Sequence, residues 1–279
     1  MAMTVLVTGS GGRIGRVIVN QLLERGDTVR GFDAAEGSGD LCDAAAVRSA
    51  VAGVDAVIHA GAIAHNIVGE EAKVLAVGLR GTHHVLEACH LEGVRRVVCF
   101  SSVQALGIFA GTRLLTSLPL TDDYPSCPQN AYQLAKHLGE KLCETYHMLH
   151  GVETVSLRPV YVSRPEEYPF WRTCTTEQGP RAVGDYGAYV DVRDVASAAV
   201  LALTAPLSGP ECLLLTAADT DSPLPTAELI SRYYPELPWA LDQESYLADN
   251  PYRSLVHCQR AATVLDWRPQ HSWREVQHA

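Results

Sequence analysis

The segment Val5-Leu6-Val7-Thr8-Gly9-Ser10-Gly11-Gly12-Arg13-Ile14-Gly15 decides how the rest of the chain is read. Val5 to Val7 is a short apolar run of the kind that a parallel sheet buries on both faces. Ile14, Val17, Ile18 and Leu22 then recur at helical spacing, and Gly26 stands just past the helix end. Between strand and helix, Gly9, Gly12 and Gly15 make a G-x-x-G-x-x-G turn. Glycine has no Cβ, so the chain turns tightly there and lets a pyrophosphate approach the backbone at a helix N-terminus. Many loops are glycine-rich. This one sits between a strand and a helix at the start of a β/α series, which points to a dinucleotide site built on Gly9, Gly12, Arg13, Ile14 and Gly15.

Outward from the turn, strands and helices alternate. Thr28 to Phe32 reads as a strand ending at Asp33, 18 residues beyond Gly15. A carboxylate there accepts hydrogen bonds from ribose hydroxyls and repels a 2′-phosphate, which favours NAD over NADP. Arg13 is the counter-argument, because a guanidinium in the turn can face a phosphate. Asp40-Leu41 is placed to flank the adenine on spacing alone. Asp55 to His59 is the next strand, followed by the small-residue turn Ala60-Gly61-Ala62. Residues from about Glu70 to Leu91 are helical, Arg96 to Phe100 a strand, about Asn130 to His150 a long helix, and Glu153 to Leu157 a strand stopped by Arg158-Pro159. Ala188 to Val190, a helix from about Asp191 to Leu203, and Cys212 to Leu215 restore the β/α texture. This order calls for an α/β fold, a Rossmann-type doubly wound parallel sheet. The irregular stretches suggest a small discontinuous C-terminal substrate-binding lobe. The expected division is 1–159 with 189–218 as dinucleotide-binding domain and 160–188 with 219–279 as substrate lobe.

Composition narrows the class. Of the 279 residues, 47% are hydrophobic and the formal net charge is −10 without a basic run, so a folded protein with no footprint for nucleic acid or an anionic membrane is expected. No signal-peptide pattern opens the chain, and no uncharged apolar run reaches the roughly 18 residues of a membrane span. The eight cysteines form no C-x-x-C pair and no zinc-finger spacing with the histidines, so reduced, mostly buried thiols in a cytoplasm and no metal site are expected. His83-His84 reads as helix surface.

Tyr132 and Lys136 lie four apart on the long helix and share a face. An ammonium near a phenol stabilises the phenolate and lowers its pKa. Such a tyrosine can exchange a proton with a substrate oxygen while hydride moves to or from a nicotinamide. A lone Y-x-x-x-K is usually a solvated helix face. Here it follows a strand ending Cys99-Phe100-Ser101-Ser102, and parallel sheets place ligand chemistry at the carboxyl ends of strands. A serine hydroxyl there can hold the substrate oxygen beside the tyrosine.

These residues together resemble the extended branch of the short-chain dehydrogenase/reductase superfamily, that is, the NAD-dependent epimerase/dehydratase family. The resemblance spans nearly the whole chain: Thr8-Gly9-x-x-Gly12-x-x-Gly15, Gly39-Asp40-Leu41, His59-Ala60-Gly61-Ala62, Ser101-Ser102, Tyr132-x-x-x-Lys136, Arg158-Pro159, Tyr189 to Val195 and Leu265-Asp266-Trp267-Arg268-Pro269. It implies Tyr132 as acid/base, Lys136 as its tuner and ribose contact, Ser102 as substrate orienter, and Pro159 beside the cofactor. It also implies a homodimer through the helices at about 70–91 and 131–150. Three departures stand out. Val103-Gln104 replaces the acidic pair of sugar-nucleotide dehydratases, which argues against elimination of water. Leu106-Gly107 replaces Tyr-Gly, and Gly78 stands where an asparagine commonly precedes Gly81-Thr82.

The resemblance also bears on the substrate: the family's sugar-nucleotide enzymes are commonly longer, so the compact 160–188 insert implies a smaller substrate such as a free sugar or sugar acid. His65 (with Asn66), Gln104 and Arg172 are the candidate substrate contacts, and Arg164 and Arg181 are further candidates for clamping an anionic group. For each arginine a solvated loop position is an equal reading. Three functions stay open: a dehydrogenase or reductase with net NAD turnover, an epimerase that retains NAD, and a non-catalytic NAD-binding sensor or scaffold.

Overall fold

The computed structural model describes residues 2–109, 113–173 and 185–275. Six parallel strands run in the order β2 (Thr28–Phe32), β1 (Thr4–Thr8), β3 (Ala56–His59), β4 (Arg96–Phe100), β5 (Glu153–Pro159) and β8 (Glu211–Leu215). The chain steps from β1 outward to β2 and then returns to the other side of β1 at β3. The crevice between β1 and β3 is therefore the topological switch point, where open α/β sheets bind ligands. The fold is α/β and Rossmann-like, as the alternation of elements implied.

Side chains alternate across each strand, and the apolar runs serve both faces. Val5 and Val7 join Ala56, Ile58 and Val98 in one core cluster with Ile18 and Leu22 of α1 (Arg13–Glu24) and the alanines of α7 (Val192–Ala202). Leu6, Val57, Val97 and Cys99 point the other way. There they meet α2 (Ala44–Val51), α4 (Gly81–Glu92) and Cys143 and Tyr146 of α5 (Ala131–His150).

Several local differences from the sequence reading have physical causes. Helix α2 was not expected; Asp43 caps it, its Oδ1 accepting from the Ala45 and Ala46 amides at 3.0 Å each. The helix expected over 70–91 is split into α3 (Glu71–Leu75), a π-helical turn over Ala76–Arg80, and α4. Gly78 lies in the π turn, where a Cβ would stand 2.9 Å from the Ala135 Cβ. Strand β5 continues through Arg158 and Pro159, which pair with Leu214 and Leu215. The Val160 amide, not the missing Pro159 N–H, donates to the Leu215 carbonyl at 3.1 Å.

Ala188 to Val190 is extended as expected, but β7 (Tyr189–Asp191) pairs in parallel with β6 (Tyr161–Ser163), outside the main sheet. Beyond β6 follows α6 (Tyr168–Thr173). The C-terminal stretch carries three short helices: α8 (Thr226–Tyr233), α9 (Gln243–Leu247) and α10 (Gln259–Leu265). Two motifs far apart in sequence meet here. Asp194 of α7 accepts from the Gln270 and His271 amides at 3.0 Å each, and its other oxygen lies 2.7 Å from His271 Nδ1. The buried Trp267 indole donates to the Asp194 carbonyl at 2.9 Å.

Seven cysteines among the described residues are free thiols: Cys89, Cys99 and Cys143 buried, Cys42, Cys212 and Cys258 half-buried, Cys127 exposed. Cys174 and Arg181 lie outside the described residues. Among those described, no helix is long and apolar enough to cross a membrane.

The turn is where the fold tolerates least. A Cβ on Gly15 would lie 2.0 Å from the Gly9 carbonyl oxygen, a backbone atom that cannot swing aside. Gly15→Ala is expected to destabilise the protein by about 3 kcal/mol or more, the upper end of overpacking costs, as read by urea unfolding. An unchanged midpoint would show that the turn relaxes without cost.

Candidate active site

At the carboxyl ends of β1, β3, β4 and β5 lies a cleft of about 450 Å³, a size usual for small-molecule sites. One wall is the glycine turn, with Gly9, Gly12, Arg13, Ile14 and Gly15, and the other carries Ser102, Tyr132 and Lys136. Ala60, Ala62, His65, Gln104 and Pro159 also line it.

The turn is held by backbone contact. Gly9 sits at φ +69°, and a Cβ there would come within 2.7 Å of the Gly61 nitrogen. Its amide donates to the Phe32 carbonyl at 2.8 Å, and its own carbonyl accepts from Gly12 at 3.0 Å. Behind this contact runs a buried chain of hydrogen bonds. The Gly61 amide donates to Thr8 Oγ1 at 3.1 Å, Thr8 Oγ1 lies 2.7 Å from His59 Nδ1, and His59 Nε2 lies 3.1 Å from Thr82 Oγ1. Thr82 donates to the Gly78 carbonyl at 2.6 Å, within the π turn. Burial, aided by the Lys136 charge, pushes the His59 imidazole down to about 3, so the ring is neutral. With Thr82 donating onward, His59 must carry its proton on Nε2 and accept from Thr8 at Nδ1. This set was not anticipated from the sequence.

Asp33 lies at the end of β2 as expected. Its Oδ2 accepts from the Gly11 amide at 3.1 Å and its Oδ1 from the Ala35 amide at 2.8 Å. Each oxygen keeps a lone pair for a further donor. A second carboxylate, missed in the sequence, stands beside it: Glu36 Oε2 accepts from the Ser10 hydroxyl at 3.2 Å. Arg13 reaches toward the C-terminal part instead, donating to the Val162 carbonyl at 2.8 Å and standing 3.5 Å from Glu167. Asp40 and Leu41 do not line the cleft; Asp40 accepts from the Cys42 amide at 2.8 Å and the buried Leu41 packs under Gly61 and Gly81.

The two serines divide their work. Ser101 donates to Glu140 Oε1 at 2.5 Å, whereas Ser102 accepts from the Gln104 amide at 3.2 Å and lines the cleft together with Tyr132. Glu140, one helical turn past Lys136, is clasped by Arg158 of β5 at 2.7 and 2.8 Å. That buried pair fastens α5 to the sheet. Lys136 donates to the Phe100 carbonyl at 2.6 Å, and its Nζ stands 5.9 Å from the Tyr132 ring centre.

Burial pushes the Tyr132 phenol up, and the neighbouring Ser102 hydroxyl pulls it partly back. The lowered phenol expected from the Tyr/Lys spacing is thus not met in this structure, because desolvation outweighs it. Lys136 is pushed down to about 8 by burial, opposed by Cys99 and Glu140. The candidate clamp arginines are engaged elsewhere. Arg164 pairs with Glu167 at 3.1 Å, and Arg172 donates to the Trp273 carbonyl at 3.1 Å, so Arg172 does not reach the cleft. Among the described residues no group of three or more histidine, cysteine or acidic side chains is placed to hold a metal.

A family model, NAD dependent epimerase/dehydratase family, matches residues 5–212. The chain belongs to that family. A uronate dehydrogenase from Pseudomonas putida is 31% identical over 182 residues, which is 61% of this chain and 65% of the relative, less than two thirds of its length. A short-chain dehydrogenase/reductase superfamily protein from Agrobacterium tumefaciens, solved with bound NAD, is 25% identical with a TM-score of 0.71 over 97% of this chain and 94% of its own. A UDP-glucose 4-epimerase from Thermotoga maritima, 22% identical, has the same fold, with a TM-score of 0.70 over 98% of this chain and 96% of its own.

The family site fits a nicotinamide dinucleotide here. A Cβ on Gly9 or Gly15 would fill the cradle under the turn, and Asp33 keeps its acceptor capacity. Lys136 provides a test of the local electrostatics. It should titrate near pH 8 in the cofactor-free protein, against an ordinary value of 10.5, while Glu70 holds Lys73 above that value. Because the folded value lies below the unfolded one, this group lowers stability as pH falls from about 10.5 to about 8, with no further loss below. NMR of the lysine Cε signals reads both midpoints, and a Lys136 midpoint at the ordinary value would contradict its burial.

Proposed function

We propose that the chain is an NAD-dependent oxidoreductase interconverting a secondary alcohol and a ketone on a sugar or sugar-derived substrate. The observation that carries this reading is the convergence of Ser102, Tyr132 and Lys136 on the same cleft as the glycine turn. When bound, the nicotinamide supplies the hydride acceptor or donor that no side chain provides. Ser102 holds the reacting oxygen, Tyr132 takes or gives its proton, and the Lys136 ammonium stabilises the phenolate that forms when the proton leaves. His65 and Gln104 on the cleft wall contact the remaining polar groups of the substrate. We assign the substrate lobe to 160–188 and 219–279, of which 174–184 and 276–279 lie outside the described residues. The sugar class rests on the uronate dehydrogenase relative, at the partial coverage given above.

Tyr132→Phe keeps the ring and loses the proton. It should lower turnover by about 10²- to 10⁴-fold while NAD binding persists. The screen uses sugars, sugar acids and sugar nucleotides, read by nicotinamide absorbance and product NMR. Net NAD reduction supports the dehydrogenase; inversion of the substrate without net NADH would make the protein an epimerase; unchanged activity in Tyr132→Phe removes the acid/base role. Since burial raises the phenol, alcohol oxidation should accelerate with rising pH, because it needs the phenolate, and ketone reduction should slow.

Asp33 and Glu36 support NAD over NADP, because two carboxylates beside the turn oppose a 2′-phosphate. Replacing both, Asp33→Ala with Glu36→Ala, should narrow the NAD-to-NADP affinity ratio by about tenfold or more, a loss of roughly 1.4 kcal/mol of discrimination. Tighter NADP than NAD binding by the unmodified protein would reverse the assignment.

A further inference from the structure

We propose that a second cavity, beyond the carboxyl end of β8, binds a small organic anion bearing a carboxylate or phosphate. The cavity holds about 280 Å³, near the lower end of small-molecule sites, and shares no lining residue with the active-site cleft. Thr216 to Ala218, which directly follow β8, form one side, and the loop before α10 and the segment after it form the other. The strand's carboxyl end is the usual side for ligands in an open α/β sheet.

The charge on its wall is opposite to that of the protein. The chain carries 32 acidic against 22 basic residues, yet no aspartate or glutamate lines this cavity, whereas Arg253 and Arg268 do, together with the Gln259 amide and the His257 ring, which burial and the Arg253 charge bias toward its neutral form. Arg253 is pinned in place: it donates to the Tyr246 carbonyl at 2.7 Å, lies over the Tyr246 ring at 5.2 Å, and has Asp249 only at 4.0 Å. Its charge is fixed toward the cavity and weakly compensated. The Arg268 guanidinium and the His257 ring have no protein hydrogen-bond or ion-pair partner among the described residues; the only close ring neighbour of His257 is Tyr246 at 5.9 Å. The half-buried Arg253 and the exposed Arg268 present guanidinium groups to one concavity, and a guanidinium meets a carboxylate or phosphate with two parallel bonds. Tyr246, Val256 and Trp267 supply apolar surface beside these donors, suited to a carbon skeleton rather than a bare inorganic ion. This site does not depend on the reading given to the active-site cleft.

The experiment titrates the full protein with citrate and, separately, with inorganic phosphate, in saturating NADH so that anions are kept from the glycine turn. The readout is the imidazole ¹H–¹³C signal of His257, assigned by its loss in His257→Gln. A saturable shift is expected, and Arg268→Gln should weaken it by about tenfold or more. Tighter citrate than phosphate assigns a carboxylate ligand, and the reverse a phosphoryl one. No saturable shift with either anion overturns the proposal, as does equal affinity in Arg268→Gln. Arg268 is exposed, so its replacement leaves folding intact, and unchanged NADH affinity in the variant checks this.

Discussion

The close approach of two backbones, Gly9 against Ala60 and Gly61, is the constraint on which the rest depends. It occurs where the sheet order reverses, between β1 and β3, and leaves no room for a Cβ on Gly9 or on Gly61. Because Gly9 and Gly61 carry no Cβ, the two backbones approach closely there, and α1 begins just beyond the turn, at Arg13, with the free amides of its first turn available to a ligand. The Thr8–His59–Thr82 chain locks the same contact from below, in a single proton arrangement set by a neutral imidazole. Its far end is the Gly78 carbonyl in the π turn. The geometry of the β1–β3 crossing is thereby linked to the helix packed on Ala135, between Tyr132 and Lys136. Interruptions of this kind in a helix are frequent at functional sites.

Helix α5 presents Tyr132, Lys136 and Glu140 on one face at successive turns. Only the first two line the cleft. Glu140 is spent on Arg158 and Ser101, and Arg158 also donates to the Asp122 carbonyl at 3.0 Å. A buried pair with its hydrogen bonds satisfied in this way contributes modest net stability, but removing one partner is costly. Its geometric effect is plain: the helix is tied to β4 through Ser101 and to β5 through Arg158, so the neighbouring Ser102 meets Tyr132 at a fixed height.

Much of this was legible in the sequence, because parallel strands buried on both faces leave continuous apolar runs and the glycine turn has a spacing of its own. The pairings that depend on distance in the chain were not. Nothing local to Glu140 announces Arg158, and nothing near Asp194 announces His271. Glu36 was hidden in a polar loop and gains meaning only from its approach to Ser10. Asp43, by contrast, is legible locally, since an aspartate before three alanines is an N-cap pattern. Helices α8, α9 and α10 are each about two turns or less, too short to show periodicity among prolines and aromatics. Arg172 illustrates the limit of composition: an arginine in the right segment is turned by the fold onto the Trp273 carbonyl.

The electrostatics of Lys136 tie these threads together. Its ammonium is desolvated, and the nearest acid on its own helix face, Glu140, is already neutralised by Arg158. A carbonyl at 2.6 Å satisfies one of its three donors. The cation is therefore held where the energy of an electron-rich neighbour is largest, because few other groups screen it. Tyr132 occupies that neighbourhood as a neutral phenol, and the lysine charge favours the phenolate that burial disfavours. The same burial that raises the phenol also strengthens the lysine's attraction for its anion, so the lysine charge offsets part of the cost of moving that proton.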